Sequence, residues 1–292
     1  MKKLLSIILC LCLVGSLGST AFAASPVQAR VVLGADLNNE QVAGIYRSFG
    51  VADGSVPELN LTNMDERRYL QRYIDDSIIG TRAISCVYVE LTGAGSGMDV
   101  QASNVTWCTP EMYVNALTTA GVTDAKVRVT APFPVSGTAA LAGVYKAYED
   151  MTGRVLDDVV KDVSTQELAV TGELAQQIGS FDSTSIVSDL KLILNETAQM
   201  DDAELERQIR QIAQEHQVDL TDSQVGQLLS LCRSLEKLDA DQLRSRVEEL
   251  RGTIQKIDQA KDEVVGFAKT VYQILGALGD FFARVRQILG KE

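Results

Sequence analysis

The residues that could do chemistry are few and lie far apart in the sequence. His216 is the only histidine, and long stretches of chain separate it from Cys86, Cys108 and Ser136. A nucleophilic mechanism needs a base within hydrogen-bond reach of a hydroxyl or a thiol. His216 also follows Ile212 on an apolar helical stripe, which favours a packed or rim histidine over a catalytic base. We therefore expect no Ser–His or Cys–His catalytic site.

Metal-binding patterns are absent or incomplete in the sequence. No Cys/His pairs occur at the spacing that zinc ligands require. The segment DLNNEQ begins like a calcium loop, with Asp36, Asn38 and Glu40, but the required glycine and terminal glutamate are missing. We therefore predict no metal ion and no cofactor.

Three pairs of adjacent aspartates remain as candidates for calcium binding or acid–base chemistry. They are Asp75-Asp76, Asp157-Asp158 and Asp201-Asp202. Acidic pairs of this kind are most often solvated helix surface. If one of these pairs is catalytic instead, the protein would be a hydrolase that uses carboxylates on a wall polymer or a peptide. This is the alternative function, and loss of activity on replacing Asp75 or Asp76 would support it.

Two features of the first half suggest a place for a ligand. The stretch APFPVSGTAALAG (residues 131–143) leads from a strand into a helix, with Ser136 as the predicted N-cap and small residues that let the helix approach the sheet. Ser136, Gly137 and Thr138 could hold an anion at the helix N-terminus, although the glycine spacing and lysine of a phosphate loop are missing. Trp107 could be a sugar platform, although burial in the core is the commoner role of a tryptophan. Packing is also the favoured role of the Ser-Gly-Thr turn.

These residues belong to a first half in which short strands alternate with capped helices. All five prolines precede Val135. Apolar runs and alternation predict strands near residues 30–34, 56–61, 83–93, 98–107 and 124–132, and the turn GAGSG joins the third strand to the fourth. Cap and stop residues predict helices over 39–49, 63–77 and 110–120, with Asn38, Thr62 and Thr109 as their N-caps.

The second half lacks proline, so long helices are unobstructed. After a loop at residues 179–185 we predict helices near 186–198 and 203–217, and another that begins with a capping box of Thr221 and Gln224. From Leu243 to Leu289 apolar residues recur every three or four positions, and only Lys261 interrupts them. Such a heptad pattern is typical of a coiled-coil-like hairpin or bundle. Matching apolar stripes occur at Leu205, Ile209, Ile212, Val225, Leu228, Cys232 and Leu235.

The segment Val264–Leu289 has a second interpretation, as an amphipathic helix that lies on a membrane surface. Its phenylalanines would enter the lipid and its basic residues would meet phosphates. The heptad pattern explains the same apolar residues by packing between helices. Membrane contact is therefore the less favoured interpretation.

The N-terminal sequence MKKLLSIILCLCLVGSLGSTAFA has the form of a secretory signal. Lys2 and Lys3 precede an apolar core, and the small residues at the end of this sequence fit a cleavage site near Ala23. Cleavage would release a soluble extracytoplasmic chain that begins at Ala24 and is secreted or associated with the cell envelope. An uncleaved anchor is the alternative.

The charge and the cysteines exclude several classes of protein. The formal net charge is −12, and removal of Lys2 and Lys3 makes the chain more acidic still, so it repels nucleic acid and anionic lipid. Cys86, Cys108 and Cys232 remain after the signal, an odd and sparse set that is not a disulfide framework. Buried free thiols are favoured over a bridge between Cys86 and Cys108.

Several segments together resemble a known family. They are VVLGADLNNEQ, YIDDSIIGTRAISCVYVEL, TPEMYVNALTTAGVTDAKVRVTAPFPVSGTAALAGVYKAYE and ELAVTGEL. The chain resembles the secreted YpuA-like proteins of domain of unknown function family 1002 from Gram-positive bacteria. The likeness is close from Val31 to about Ile178. After Ile178 the chain resembles the family only in its general helical character. It implies a secreted envelope protein and supplies no catalytic residues.

We therefore predict an α+β protein with a signal peptide at residues 1–23, a mixed α/β domain with a small sheet at 24–179, and a helical, coiled-coil-like domain at 180–292. The favoured function is a non-enzymatic binding or interaction protein at the bacterial cell envelope. Its partner would be a wall component or an envelope protein, and the apolar stripe is also compatible with an oligomer. Nucleic acid is excluded as a partner by the charge.

Overall fold

A computed structural model describes residues 28–257 and 259 of the protein. The predicted signal segment 1–23, the segment Val264–Leu289 and the heptad pattern from Lys261 onward lie outside the described residues. Within the described part of the chain, no helix is long and apolar enough to cross a membrane. The fold is α+β, as the sequence predicts, because a mixed sheet in the N-terminal half is followed by helices.

Five strands form one sheet in the order β2-β1-β3-β5-β4. They are β1 (Ala29–Gly34), β2 (Glu58–Leu61), β3 (Cys86–Leu91), β4 (Met98–Ala102) and β5 (Ala125–Thr130). Strands β2, β1, β5 and β4 run in the same direction, and the central strand β3 is antiparallel to both of its neighbours. The carboxyl ends of four strands therefore meet at one side of the sheet, which we call the strand edge.

Strands β3 and β4 are consecutive in the chain but are not paired, because β5 lies between them. The sequence gives no sign of this arrangement. Asp124, at the start of β5, holds the connecting turn: its Oδ1 accepts a hydrogen bond from the Gly97 N–H (2.9 Å) and its carbonyl oxygen accepts one from the Thr92 N–H (3.0 Å). The turn therefore passes over a neighbouring strand instead of closing a hairpin.

Helices cover both faces of the sheet. In the first half they are α1 (Asn39–Phe49), α2 (Asn63–Leu70), α3 (Asp76–Ile79), α4 (Pro110–Ala120) and α5 (Ala139–Thr152). Helix α5 packs on β1 and β3 and shares a core with Val32, whereas α1 shares a core on the opposite face with Val31 and Leu33. This alternation follows from the two-residue repeat of a strand. A Cβ atom at Gly143 would lie 2.8 Å from Val87 Cγ1, so the small residues of α5 do permit a close approach to the sheet.

Asn38 and Thr109 are the N-cap residues of α1 and α4, as predicted, but only the Asn38 side chain forms a capping hydrogen bond. The predicted helix over 63–77 is wrong. That segment forms α2 and α3 with an irregular turn between them. The break occurs because Asp75 starts a new helix: its side chain accepts a hydrogen bond from the Ser77 N–H at 2.8 Å. A short acidic side chain that bonds to nearby backbone in this way competes with continuation of the preceding helix.

The remainder of the described chain is helical. Its helices are α6 (Asp158–Ile178), α7 (Ser180–Leu192), α8 (Leu194–Thr197), α9 (Asp202–Glu215), α10 (Asp222–Leu235) and α11 (residues 240–257). The capping box of Thr221 and Gln224 is confirmed. The predicted apolar stripes of α9 and α10 are buried together in one hydrophobic core. The predicted loop at residues 179–185 is wrong, because Gly179 alone, with φ of 91°, separates α6 from α7.

Two hydrophobic cores share α6 and α11. Leu168 of α6 belongs to the core between the sheet and helices α4 and α5, whereas Leu174 of the same helix belongs to the core of the helical half. Helix α11 divides in the same way: Leu250 packs in the first core and Leu243 in the second. The described part of the predicted heptad stripe is therefore buried against both halves of the protein.

A buried ion pair joins α4, α6 and α7. Lys191 Nζ lies 2.8 Å from Glu167 Oε1, and both side chains are 0% exposed. Lys191 also donates to the backbone carbonyl and the side-chain oxygen of Asn115 and to Thr119 Oγ1, while the Thr119 hydroxyl donates to Glu167 Oε2 (2.5 Å). Burial raises the pKa of Glu167 and lowers the pKa of Lys191, because it penalises both charged forms.

Candidate functional site

A cleft opens at the strand edge. Its volume is about 260 Å³, and it lies between α2, the segment that leads into β3, and the start of α5. Ligands of open α/β sheets bind outside the carboxyl ends of the strands, because the loops that follow those strands converge there. The lining residues are Glu66, Ile78, Ile79, Gly80, Thr81, Arg82, Ile84, Ser85, Phe133, Val135, Ser136 and Ala139.

The stretch 131–143 forms one wall of this strand-edge cleft, and backbone pairing holds it in place. Val135 forms an isolated parallel bridge with Val105, and the carbonyl oxygen of Ser136 accepts a hydrogen bond from the Cys108 N–H (3.0 Å). Gly137 has φ of 93°, and a Cβ atom there would lie 2.3 Å from Val105 Cγ1. The turn therefore requires glycine at this position.

Ser136 is not the N-cap of α5, contrary to the sequence prediction. The helix begins at Ala139, with Thr138 as its N-cap, because Gly137 interrupts the turn with its positive φ. The Ser136 and Thr138 hydroxyls lie 3.2 Å apart. Thr138 is fully buried, whereas Ser136 is partly exposed and lines the cleft.

Glu66 is the polar residue of the cleft that sequence reasoning missed. Its side chain is only 1% exposed. The Thr138 hydroxyl donates to Glu66 Oε1 (2.7 Å), and the Asn63 side-chain amide donates to Oε2 (3.2 Å). Burial raises the pKa of Glu66 above its ordinary value, and these hydrogen bonds and Arg67 oppose the shift only in part. The carboxyl group is therefore more readily protonated than that of an exposed glutamate.

The position of Glu66 in its helix explains why the amino-acid sequence does not identify it as a residue of the cleft. A glutamate in the first turn of a helix is ordinary, since it interacts favourably with the helix dipole. One feature could have found it: Glu66 precedes Leu70 by four residues and so shares the buried face of α2. The same carboxyl group stands where the sequence suggests an anion site, and its contact with Thr138 occupies that hydroxyl. The wall at Ser136–Thr138 is therefore better suited to an uncharged polar ligand than to an anion.

Trp107 lies beside this wall but faces away from the cleft. Its backbone N–H donates to the Ser136 carbonyl oxygen at 3.3 Å. Its ring packs on α6, where a Cβ atom at Gly172 would lie 2.4 Å from the six-membered ring. The indole Nε1 is buried and forms no hydrogen bond within residues 28–257. The ring therefore packs against the protein and leaves the cleft to other side chains.

The paired aspartates act as helix caps and in surface ion pairs. Asp75, Asp157 and Asp201 cap α3, α6 and α9, respectively. Their neighbours Asp76, Asp158 and Asp202 pair with Arg67, Lys161 and Arg233. None of the six lines the strand-edge cleft. Among the described residues, no group of acidic, cysteine or histidine side chains is arranged to hold a metal ion.

His216 and the three cysteines are also absent from the lining of the cleft. His216 follows the last residue of α9, and its Nε2 lies 2.8 Å from Asp189 Oδ2 of α7. Cys86, Cys108 and Cys232 are buried free thiols, so Cys86 and Cys108 are not bridged. Burial raises the pKa of Cys86 and of Cys108 to about 12. Within the described chain, no hydrogen bond joins His216 to a serine hydroxyl or a thiol.

Comparison with known proteins places these residues in a family. A family model described as "Protein of unknown function (DUF1002)" matches residues 33–252, which include the whole of the strand-edge cleft. The chain is 39% identical over 241 residues to the "Uncharacterized protein YpuA" of Bacillus subtilis (strain 168), and the match covers 82% of this chain and 80% of that protein. No solved structure matches the chain.

Proposed function

This chain belongs to the DUF1002 family of proteins of unknown function, so we propose its role from the cleft itself: it is an extracytoplasmic, non-enzymatic binding protein of the cell envelope. The strand-edge cleft holds the ligand. The observation that carries this proposal is the carboxyl group of Glu66, which is buried in the protein and yet lines an open cleft at the edge where four strands end.

The lining of the cleft contains one carboxyl group, Glu66, and one guanidinium, the exposed Arg82, and these opposite charges favour a polar ligand without net charge that also has an apolar side. Ile78 and Ile84 provide apolar wall, and Phe133 is a 37% exposed aromatic ring in that lining. Ser85 and Ser136 add hydroxyl groups. A carboxyl group with a raised pKa can accept a hydrogen bond when ionised and donate one when protonated, so it suits a ligand hydroxyl or amide.

The size of the cleft points to one unit of a larger molecule. Pockets for drug-sized ligands measure roughly 300–1,000 Å³, and this cleft is smaller. A terminal sugar or the end of a peptide is of the right order. Such units are abundant in the bacterial envelope, where the sequence predicts that the chain is delivered.

Binding is favoured over hydrolysis by the number of acids in the cleft. Hydrolysis of a glycosidic bond normally uses two carboxyl groups about 5 to 9.5 Å apart, one on each side of the bond. Glu66 is the single carboxyl group among the described residues that line the cleft. The alternative of a carboxylate-dependent hydrolase therefore lacks its second acid at this site.

The test is retention of purified chain 24–292 by separated wall, membrane and protein fractions of the producing cell. Thr81 is exposed and lines the cleft, so Thr81→Trp should fill its mouth without disturbing the core, and Thr81→Ser is the matched control. We expect the unmodified chain and Thr81→Ser to be retained by one fraction, and Thr81→Trp to lose at least 90% of that retention.

Equal retention of the two variants would refute the cleft as the ligand site. Release of soluble fragments from wall polymer or peptide, abolished by Glu66→Gln, would instead establish the hydrolase. Circular dichroism of each variant verifies that it is folded.

A further inference from the structure

A second pocket lies between α4, α7, the end of α9 and α11. Its volume is about 110 Å³. Its walls include the apolar side chains of Phe181, Leu192, Leu250 and Ile254. Asp189, His216 and Arg251 are the ionisable residues of its polar lining, which also includes Asn115, Thr118, Ser185, Ser188 and Gln255. We call it the His216 pocket. A small apolar chamber with a few convergent polar groups is the usual form of a site for a small molecule.

The polar side of the His216 pocket has unused hydrogen-bond donors. Asp189 uses both carboxylate oxygens, because Oδ2 pairs with His216 Nε2 (2.8 Å) and Oδ1 accepts from Arg251 Nη2 (3.3 Å). The Nε and Nη1 groups of Arg251 have no partner within the described residues. The acid is therefore occupied, whereas Arg251 still has donors for an anionic partner.

The charges of the polar groups support the same conclusion. The guanidinium of Arg251 balances the carboxylate of Asp189, with which it pairs at 3.3 Å. A guanidinium recognises a carboxylate through paired N–H donors. A ligand cation would have to displace Arg251 or His216 from Asp189 before it could bind there.

The volume limits the apolar part of the ligand. An apolar cavity of about 150 Å³ is large enough to bind benzene. A chamber of 110 Å³ therefore accepts roughly four or five carbon atoms, such as a branched aliphatic side chain.

We propose that the His216 pocket binds a small branched aliphatic group that carries a carboxylate. The aliphatic part lies against Phe181, Leu250 and Ile254, and the carboxylate pairs with Arg251. Two sources share this chemistry: a free short branched acid, and the C-terminal leucine or valine of a peptide. Neither depends on the strand-edge cleft, so the two sites can be tested independently.

The experiment is isothermal titration of purified chain 24–292 with 4-methylpentanoate, with N-acetyl-glycyl-leucine, and with the amide of each. We expect at least one acid to bind with a Kd on the order of 1 mM, as befits a ligand of few atoms. Its amide should bind at least ten-fold more weakly. Tighter binding of the free acid assigns the pocket to free short acids, and tighter binding of the peptide assigns it to peptide C-termini.

Two variants and a matched control locate the site. Arg251→Gln should weaken binding of the acid about ten-fold and remove the preference over the amide. Arg244→Gln, an exposed arginine of the same helix that pairs with Glu248, should change neither. Ser185→Leu, which fills the pocket, should abolish binding. The proposal is overturned if no acid binds at 20 mM, if acid and amide bind equally, or if Arg251→Gln behaves like Arg244→Gln.

Discussion

Removal of the positive charge at position 191 should destabilise the protein more than removal of both charges of the buried ion pair. In Lys191→Met the Glu167 carboxylate keeps its hydrogen bond from Thr119 but loses its cation in a fully buried position. Breaking a buried pair from one side costs about 3 to 5 kcal/mol, because the remaining charge is left uncompensated. The double variant Glu167→Met/Lys191→Met should lie within about 2 kcal/mol of the wild type, since it leaves no buried charge.

The polar groups around the ion pair keep hydrogen-bond partners in the double variant, so its stability reports on the removal of the two charges. The side-chain oxygen of Asn115 still accepts a hydrogen bond from Ser188 (3.1 Å), and the Thr119 hydroxyl can donate to the Asn115 carbonyl oxygen (3.4 Å). The Asn115 side-chain oxygen and the Thr119 hydroxyl therefore both keep a hydrogen bond when both charges are removed. The directions of the two pKa shifts agree with this expectation, because burial disfavours both charged forms even while they are paired.

The assay is urea unfolding followed by circular dichroism, for the wild type, both single variants and the double variant. With a slope of up to about 3 kcal/mol per M urea, Lys191→Met should lower the midpoint by about 1 to 2 M. Its loss of stability should be smaller at pH 5 than at pH 8, because removal of the Lys191 cation raises the pKa of Glu167 further than burial alone does in the wild type, and a group with a raised folded pKa gains stability as the pH falls. Additive effects of the two single substitutions would refute the reasoning, because they would mean that the charges do not interact.

Three further predictions concern the strand edge and the thiols. Gly137→Ala should lower the free energy of unfolding by about 1 to 3 kcal/mol, since φ of 93° and the contact with Val105 both disfavour a Cβ atom; an unchanged urea midpoint would contradict the close packing of this turn. Glu66→Gln should flatten the pH dependence of stability above about pH 4.5, because burial raises the pKa of Glu66 above that value and the wild type therefore gains stability as the pH falls towards it; parallel pH profiles for the two proteins would contradict that shift. In the chain 24–292, Cys86, Cys108 and Cys232 should not react with a thiol reagent at pH 8 until urea is added, because burial raises their pKa values to about 12, 12 and 11; rapid reaction of the folded protein would show that a thiol is accessible.

The sequence predicts the elements of this fold well wherever the signal is local. Caps and stops such as Asn38, Gly50 and Gly121 satisfy backbone groups within a few residues, so they locate helix ends without knowledge of the rest of the chain. The helix break at Asp75 is also local in origin. The sequence does not reveal it, because an aspartate inside a polar helical stretch and an aspartate that starts a new helix look alike in sequence.

Features that depend on distant residues could not be predicted in the same way. The insertion of β5 between β3 and β4 is determined by pairing across the sheet. The alternating pattern of a strand shows which of its faces is buried but does not identify the strand that pairs with it. The candidate site has the same character: Ser136 was singled out from its turn, but Glu66 joins it only because α2 and α5 meet at the strand edge. The pairing of His216 with Asp189 likewise requires the packing of α9 on α7.

The position of β5 has a consequence for the order in which the sheet can be completed. Strands β3 and β4 cannot form a native pair with each other, so a chain made from its N-terminus presents their facing backbone groups unpaired until residue 130 is available. Strand β5 must then insert between them, and closure of this part of the sheet is a late, non-local event of the kind that slows folding. Among the described strands, β4 pairs only with β5, and its exposed Asp99 forms an ion pair with Arg128 of that strand. The protein is therefore most vulnerable to aggregation before β5 arrives.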